Sequence, residues 1–181
     1  MRKLRQIFFF MFLITGIAVA QISSPAIGAS FHLGDIQGNS ASVASTGATF
    51  FFDFYPWFEN DVSFRAGFTY SQKVEKFLPE NRTGRYYPFI KFFSLKGFIR
   101  QDISFPVYLE EGAGIIYLND RTFSDTNLWE VGVGFNFLCG YDFRKIGSRG
   151  TTIGLGIDYG VTFTNSTANY FLFYAQVQYH F

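Results

Sequence analysis

The chain ends on Tyr170-Phe-Leu-Phe-Tyr-Ala-Gln-Val-Gln-Tyr-His-Phe181, a stretch in which two kinds of side chain alternate. Because successive side chains of a β-strand point to opposite faces, this pattern predicts a strand with one wholly apolar face. The apolar face carries Phe171, Phe173, Ala175, Val177, Tyr179 and Phe181, and the mixed face carries Tyr170, Leu172, Tyr174, Gln176, Gln178 and His180. Such a strand suits a wall between lipid and a polar interior.

The N-terminal end of the sequence predicts export. Arg2, Lys3 and Arg5 precede an apolar run over 7–19, and Ala18-Val19-Ala20 has the small-x-small pattern of a cleavage site. Residues 1–20 are therefore interpreted as a signal peptide, because the run is shorter than the roughly 20 apolar residues of a membrane-spanning helix. A retained N-terminal anchor is the alternative. The remaining domain covers 21–181.

Composition excludes several classes of function. Without residues 1–20 the chain has 12 Lys or Arg against 14 Asp or Glu, a net charge of −2, which is not typical of nucleic-acid binding. Cys139 is the only cysteine, so no internal disulfide is expected. The two histidines, His32 and His180, lie far apart, and no metal site or cofactor is predicted. Aromatic residues make up 22% of the chain, more ring surface than a soluble domain of this size readily buries.

Alternation recurs along the chain, whereas no sustained helical pattern follows the signal peptide. Four strands are clear, at 62–70, 129–137, 153–161 and 170–181, and their apolar faces contain no charged residue. This exclusion is expected on a lipid-facing surface, where a basic side chain at mid-bilayer costs about 2–4 kcal/mol. The residues assigned to lipid are Phe64, Phe68, Trp129, Val133, Leu155, Ile157 and Phe173.

Four further strands are predicted at 26–35, 47–55, 85–93 and 106–118. In the third, Ile90 and Phe92 are assigned to the lipid face and Lys91 to the interior. In the fourth, Glu111 falls on the lipid face, at an interface or beside a bulge. The total of eight is even, as single-chain bacterial barrels require.

With the N-terminus in the periplasm, the connections divide into two sets. Periplasmic turns are predicted at 56–60, 94–104 and 144–150, and the aromatic pair Trp57-Phe58 suits a membrane-interface belt there. Outer loops are predicted at 35–46, 71–84, 119–127 and 164–169.

Charged residues on the inner faces predict a filled lumen. An eight-stranded barrel has an interior just wide enough for side chains, and buried charges persist mainly as pairs. We expect a structural network of ion pairs rather than a proton or ion relay. Its members are Asp53, Arg65, Lys91, Glu110, Glu130 and Asp158.

The mature chain resembles the small eight-stranded outer-membrane β-barrels of the OmpA/OmpX type, within the porin-like grouping of Gram-negative bacteria. The resemblance lies in the alternation and in the closing strand with Tyr179 and Phe181. It implies an all-β, antiparallel, up-and-down transmembrane barrel, and a C-terminal signal at these two residues for the outer-membrane assembly machinery. A secreted β-sandwich, which also alternates, is the alternative fold.

A weaker resemblance concerns the lipid A 3-O-deacylase family. The stretch Pro106-Val-Tyr-Leu-Glu-Glu-Gly-Ala-Gly114 is loosely similar, and His32 with Ser30 could supply a base and a hydroxyl. The His-x-Ser of that family's penultimate strand is absent, because the matching region is Ile157-Asp-Tyr-Gly-Val-Thr-Phe163. No catalytic residue is therefore assigned, and the protein is not expected to be an enzyme.

These observations favour an integral outer-membrane protein with a structural or surface-interaction role. Its expected partners are outer-membrane lipids, lipopolysaccharide and the assembly machinery. The alternatives are a narrow channel or carrier for small solutes and, with less support from the residues, a lipid A modifying enzyme.

Overall fold

The computed structural model describes residues 25–54, 62–78, 86–145 and 149–181. The predicted signal peptide at 1–20 and the predicted turn at 56–60, with Trp57 and Phe58, lie outside the described residues. Among the described residues, no helix is long and apolar enough to cross a membrane.

Eight antiparallel strands form a closed barrel in which each strand pairs with its neighbours in sequence. One short 3-10 helix, Val74–Phe77, follows the third strand. The strands are β1 (Ala26–Gln37), β2 (Val43–Phe54), β3 (Val62–Lys73), β4 (Phe89–Ser104), β5 (Val107–Arg121), β6 (Leu128–Asp142), β7 (Gly150–Thr162) and β8 (Asn169–His180). The predicted all-β, up-and-down architecture is confirmed.

The first and last strands close the barrel. They pair along their full lengths, from Ala26 opposite His180 to Gln37 opposite Asn169. Beyond the strand, the Phe181 N–H donates to the carbonyl oxygen of Pro25 at 3.0 Å. None of the eight described strands therefore keeps a free edge.

The two ends of the barrel differ. The loop end carries the connections at 38–42, 74–88, 122–127 and 163–168. The terminal end carries the start of β1, the end of β8 and a two-residue turn at Phe105–Pro106. The connection at 163–168 has the predicted length. The connections at 38–42 and 122–127 are shorter than predicted, because the flanking strands extend into the predicted loops.

The outward face is apolar and exposed. Leu155 is 70% exposed and Phe173 59%, values that are unusual for such residues in a soluble domain. Phe64 is half-buried because its ring stacks on that of Phe54, with centroids 5.7 Å apart. The residues assigned to lipid all lie on this face: Phe64, Phe68, Trp129, Val133, Leu155, Ile157 and Phe173.

The prediction for β4 is wrong in two respects. The segment 94–104, predicted as a turn, is the second half of a long strand. In addition, Ile90 and Phe92 are fully buried inside the barrel, so that Lys91 lies on the outward face with its Nζ 5.6 Å from the ring centroid of Trp129. The physical reason is that the inner face of β4 near the loop end is apolar, so the charge of Lys91 does not mark the inner face of this strand.

Glu111 lies on the outward face, as its position in the alternation predicts. Its backbone pairs with Ile99 of β4 and Phe137 of β6 without a shift of register. The bulge considered for this position is therefore absent, and the irregularity between β4 and β5 lies instead at Asp102–Ser104.

Two glycines on neighbouring strands test how tightly the wall is built. A Cβ atom at Gly114 would lie 2.1 Å from the carbonyl oxygen of Leu95, whereas a Cβ atom at Gly97 would meet its nearest atom, in Phe64, at 3.7 Å. We therefore expect Gly114→Ala to destabilise the barrel by about 1–3 kcal/mol, since backbone cannot give way as a flexible side chain can. Urea unfolding of the protein in lipid vesicles measures this, and Gly97→Ala is the matched control with little expected change. Equal effects of the two variants would contradict the close approach.

Candidate functional site

The centre of the barrel is organised around Arg65 of β3. Its guanidinium donates from Nε and Nη2 to the two carboxylate oxygens of Asp53, each at 2.7 Å, and Nη2 lies 2.9 Å from Oε1 of Glu110. The same group lies between the rings of Phe51 and Phe98, 4.2 Å from each centroid. A planar, two-pronged cation suits this position because it can face carboxylates in its plane and rings above and below.

The register of the strands explains this arrangement. Asp53 and Arg65 are directly paired across β2 and β3, so their side chains meet on the same face. Glu110 comes from β5, two strands further round the barrel. Arg65 therefore links side chains of three strands across the lumen, and all three residues are almost completely buried.

A second ion pair lies beside the first. Lys96 of β4 is paired in register with Arg65, and its Nζ lies 2.8 Å from both carboxylate oxygens of Asp158. It also donates to the side chain of Asn136. Two cations stand side by side here, and the three carboxylates Asp53, Glu110 and Asp158 offset their repulsion.

The terminal end has its own charged cluster. Asp142 accepts from Arg100 and Arg144, with 2.7 Å between Oδ2 and an Nη2 of each. Arg100 also lies 3.8 Å from the ring centroid of Tyr108. These contacts join β4, β5 and β6 to the turn that follows β6.

Glu130 is buried but does not join the ion pairs. Its carboxylate accepts from the backbone N–H of Ser166 at 2.8 Å, from the Ser166 hydroxyl at 2.6 Å and from the Thr162 hydroxyl. Its role in the structure is to hold the connection between β7 and β8 against the mouth of the barrel.

Asp120 holds two other connections in the same manner. It accepts from the backbone N–H of Thr122 at 2.8 Å and from that of Asn39 at 3.0 Å. The Asn39 side-chain amide in turn donates to Thr126 at 3.2 Å. The β1–β2 and β5–β6 connections are thereby tied together over the loop end.

Beneath these loops the lumen is blocked by apolar side chains. The ring of Phe92 stacks on that of Tyr170, with centroids 4.6 Å apart and planes inclined by 12°. The cluster consists of Ile36, Ile90, Phe92, Ile116, Leu118, Ala168, Tyr170 and Leu172. We call it the apolar plug.

A small cavity of about 30 Å³ lies between the plug and the ion pairs. His32 lines it, is 1% exposed, and its Nε2 has no hydrogen-bond partner among the described residues. This volume holds a few water molecules at most, which could satisfy that nitrogen. Within the described ranges no cluster of three His, Cys, Asp or Glu side chains could hold a metal ion.

The structure brings together four of the six residues predicted for the lumen network. Asp53, Arg65 and Glu110 form one group, and Asp158 lies in the adjacent one. Glu130 lies apart at the loop end, and Lys91 lies outside. Lys96 takes the place of Lys91 as the second interior cation. It was missed in the sequence because 94–104 was assigned to a turn. Its position between Leu95 and Gly97, on the opposite face of an alternating stretch, was the available signal.

The C-terminal pair lies at the terminal end of the barrel. The rings of Tyr179 and Phe181 meet edge to face, with centroids 5.6 Å apart, and both are about half exposed on the outward side.

Comparison with known proteins identifies the fold and no closer relationship. No protein-family model and no curated protein matches the chain. Among solved structures, Neisserial surface protein A (NspA) superposes with a TM-score of 0.64 at 14% identity, over 88% of this chain and 98% of that one. Ail, the attachment invasion locus protein of Yersinia pestis, gives a TM-score of 0.55 at 10% identity, over 88% of this chain and 99% of Ail. Ail in complex with the heparin analogue sucrose octasulfate gives 0.56 at 10% identity, over 87% and 98%.

The chain therefore has the fold of the small eight-stranded outer-membrane β-barrels, which confirms the resemblance noted in the sequence.

Removing the central cation tests the network. Arg65→Met leaves two buried carboxylates without their partner, so we expect a loss of about 3–5 kcal/mol in the free energy of unfolding. The triple variant Arg65→Met/Asp53→Asn/Glu110→Gln, which also removes the two negative charges, should recover most of that loss. Urea unfolding in lipid vesicles measures both variants. The network would have no central role if Arg65→Met unfolded at the same urea concentration as the unaltered protein.

Proposed function

We propose that this chain is an integral outer-membrane β-barrel protein that has a structural or surface-interaction role and no catalytic activity. The observation that carries the proposal is an inversion of the usual protein interior. Exposed apolar side chains surround the barrel, while ion pairs fill its centre. A hydrocarbon surrounding is the environment in which this distribution is stable.

The proposal extends to export and assembly. We propose that residues 1–20 are cleaved as a signal peptide and that Tyr179 and Phe181 carry the signal for the outer-membrane assembly machinery. In the folded barrel this ring pair is about half exposed at the terminal end, a position that another protein can contact. The loop end would then face outward from the cell and contact lipopolysaccharide and other surface molecules.

The blocked lumen argues for a structural role over transport. A solute entering from the loop end meets the tied loops, then the apolar plug, then Arg65 with its carboxylates. The cavity at His32 is far smaller than an acyl chain of lipid A, so it offers no substrate site for a lipid-modifying reaction.

Conductance across a planar lipid bilayer tests the closed lumen. We expect no discrete current steps from the unaltered protein, because the plug and the ion pairs leave no continuous aqueous path. Phe92→Ala/Tyr170→Ala removes the stacked pair of the plug and should increase leakage, while Leu155→Ala on the outward face should not. Discrete steps from the unaltered protein would favour the channel instead.

A single arginine on the outer wall tests the lipid contact. Leu155→Arg should reduce the free energy of unfolding in lipid vesicles by about 2–4 kcal/mol if this position faces the bilayer interior. Thr151 lies on the same face of β7 but is the second residue of the strand, close to the membrane boundary, so Thr151→Arg should cost about 0–1 kcal/mol. In a soluble barrel an exposed leucine can be replaced by arginine at little cost, so equal and small effects would contradict the proposal.

A further inference from the structure

The outward face of the described strands has two basic side chains, and they are neighbours. Lys91 of β4 pairs in register with Asn119 of β5, and Phe89 pairs with Arg121, the last residue of β5. Lys91 and Arg121 are therefore diagonal neighbours, a relation that separates residues by roughly 7–8 Å and allows two long side chains to reach one group.

An aromatic ring lies close to each of the two cations. Lys91 Nζ lies 5.6 Å from the ring centroid of Trp129, and Arg121 Cζ lies 5.7 Å from that of Phe89. Tyr117 stacks on Trp129, with centroids 4.7 Å apart. We call these five residues the aromatic–basic patch.

The positive charge of the patch is not offset from within the described chain. In the described ranges, neither Lys91 nor Arg121 forms an ion pair, and the Nε of Arg121 is buried without a hydrogen-bond partner. Glu111 lies on the same outward face of β5 but ten positions before Arg121, about 33 Å along an extended strand. The interior cations Arg65 and Lys96, in contrast, have carboxylate partners.

The position of the patch sets the chemistry of its partner. It lies where β4 and β5 reach the loop end, and its Trp and Tyr rings suit the boundary between hydrocarbon and head groups. A lipid-borne anion lies at this depth and can satisfy both cations, because a phosphate can accept hydrogen bonds from a lysine and an arginine together.

We propose that the aromatic–basic patch binds a phosphate group on the lipid A part of lipopolysaccharide. This inference rests on the proposed function, because it requires the loop end to lie in the outer leaflet. Lys91 and Arg121 hold the phosphate, while Phe89, Tyr117 and Trp129 pack against the sugar and the upper part of the acyl chains. The patch would thus fix one lipid molecule at the β4–β5 wall.

Trp129 provides the measurement. The chain has two tryptophans, so a Trp57→Phe background leaves Trp129 as the reporter within the patch. The protein is refolded into phosphatidylcholine vesicles with increasing mole fractions of bisphosphorylated lipid A, and Trp129 emission gives the midpoint of binding. Parallel titrations use lipid A without its phosphates, and inorganic phosphate added to the plain vesicles.

We expect binding of bisphosphorylated lipid A, a midpoint at least tenfold higher for the lipid without phosphates, and no response to inorganic phosphate. Lys91→Gln and Arg121→Gln should each raise the midpoint about tenfold, as the loss of one charged hydrogen bond implies. Lys91→Arg should retain binding. Lys76→Gln, which removes a charge from the 3-10 helix at the same end, is the matched control and should leave the midpoint unchanged.

Equal midpoints for the unaltered protein and the Lys91→Gln/Arg121→Gln variant would overturn the inference, as would equal binding of the two lipids. Saturation of the Trp129 signal by inorganic phosphate alone would show that the patch binds a free anion, and would also overturn the inference. Insertion of each variant is checked by the change in gel mobility on boiling. Failure of the unaltered protein to insert into any vesicle would instead contradict the proposed function.

Discussion

The structure depends on the closure of its hydrogen-bonded sheet, in which β1 pairs with β8 from Ala26 opposite His180 to Gln37 opposite Asn169. In hydrocarbon an unpaired backbone N–H or C=O costs several kcal/mol, so a sheet can be stable there only without edges. Closure also divides every strand into an inward and an outward face. Each later feature, including the filled centre and the apolar wall, follows from that division.

Once the barrel closes with eight strands, its centre has room for side chains and little else. Ion pairs between side chains fill the middle of the barrel, and the apolar plug lies between them and the loops. Arg65 ties the walls of β2, β3 and β5 together through Asp53 and Glu110. The apolar plug and the connections held by Asp120 and Glu130 close the mouth above. The barrel centre is thus closed by side chains, and the surfaces left for contact with other molecules are the outer wall and the loops.

Much of the fold could be predicted from sequence, because the alternation is strong wherever the two faces differ in polarity. That condition holds for the second half of β8, from Gln176 onward, and for β6 around Val133, where outward apolar residues alternate with glycine or polar ones. The condition fails in β4, because its inner face begins with the apolar residues Ile90 and Phe92. That face was therefore assigned to lipid and Lys91 to the interior. Periodicity reports which residues share a face, but it does not say which face is inside when the interior is itself partly apolar.

The candidate site was less predictable than the fold. Asp53 and Arg65 were identified as interior residues from alternation, but the contact of Arg65 with Glu110 depends on the curvature of the barrel, which brings β5 across from β3. The roles of Asp120 and Glu130 carry no sequence signal, because their partners are backbone N–H groups and hydroxyl groups in and beside the loops. The aromatic–basic patch likewise emerges only after Lys91 is placed on the correct face.

The central claim, that the outer wall faces lipid, can be measured at the single thiol of the chain. Cys139 is exposed on the outward face of β6, between Leu109 of β5 and Leu155 of β7. The account predicts that a charged, water-soluble thiol reagent fails to modify Cys139 in protein folded into lipid vesicles, and modifies it fully after unfolding in urea. Rapid modification of the folded protein in vesicles would show that water covers this wall and would contradict the account.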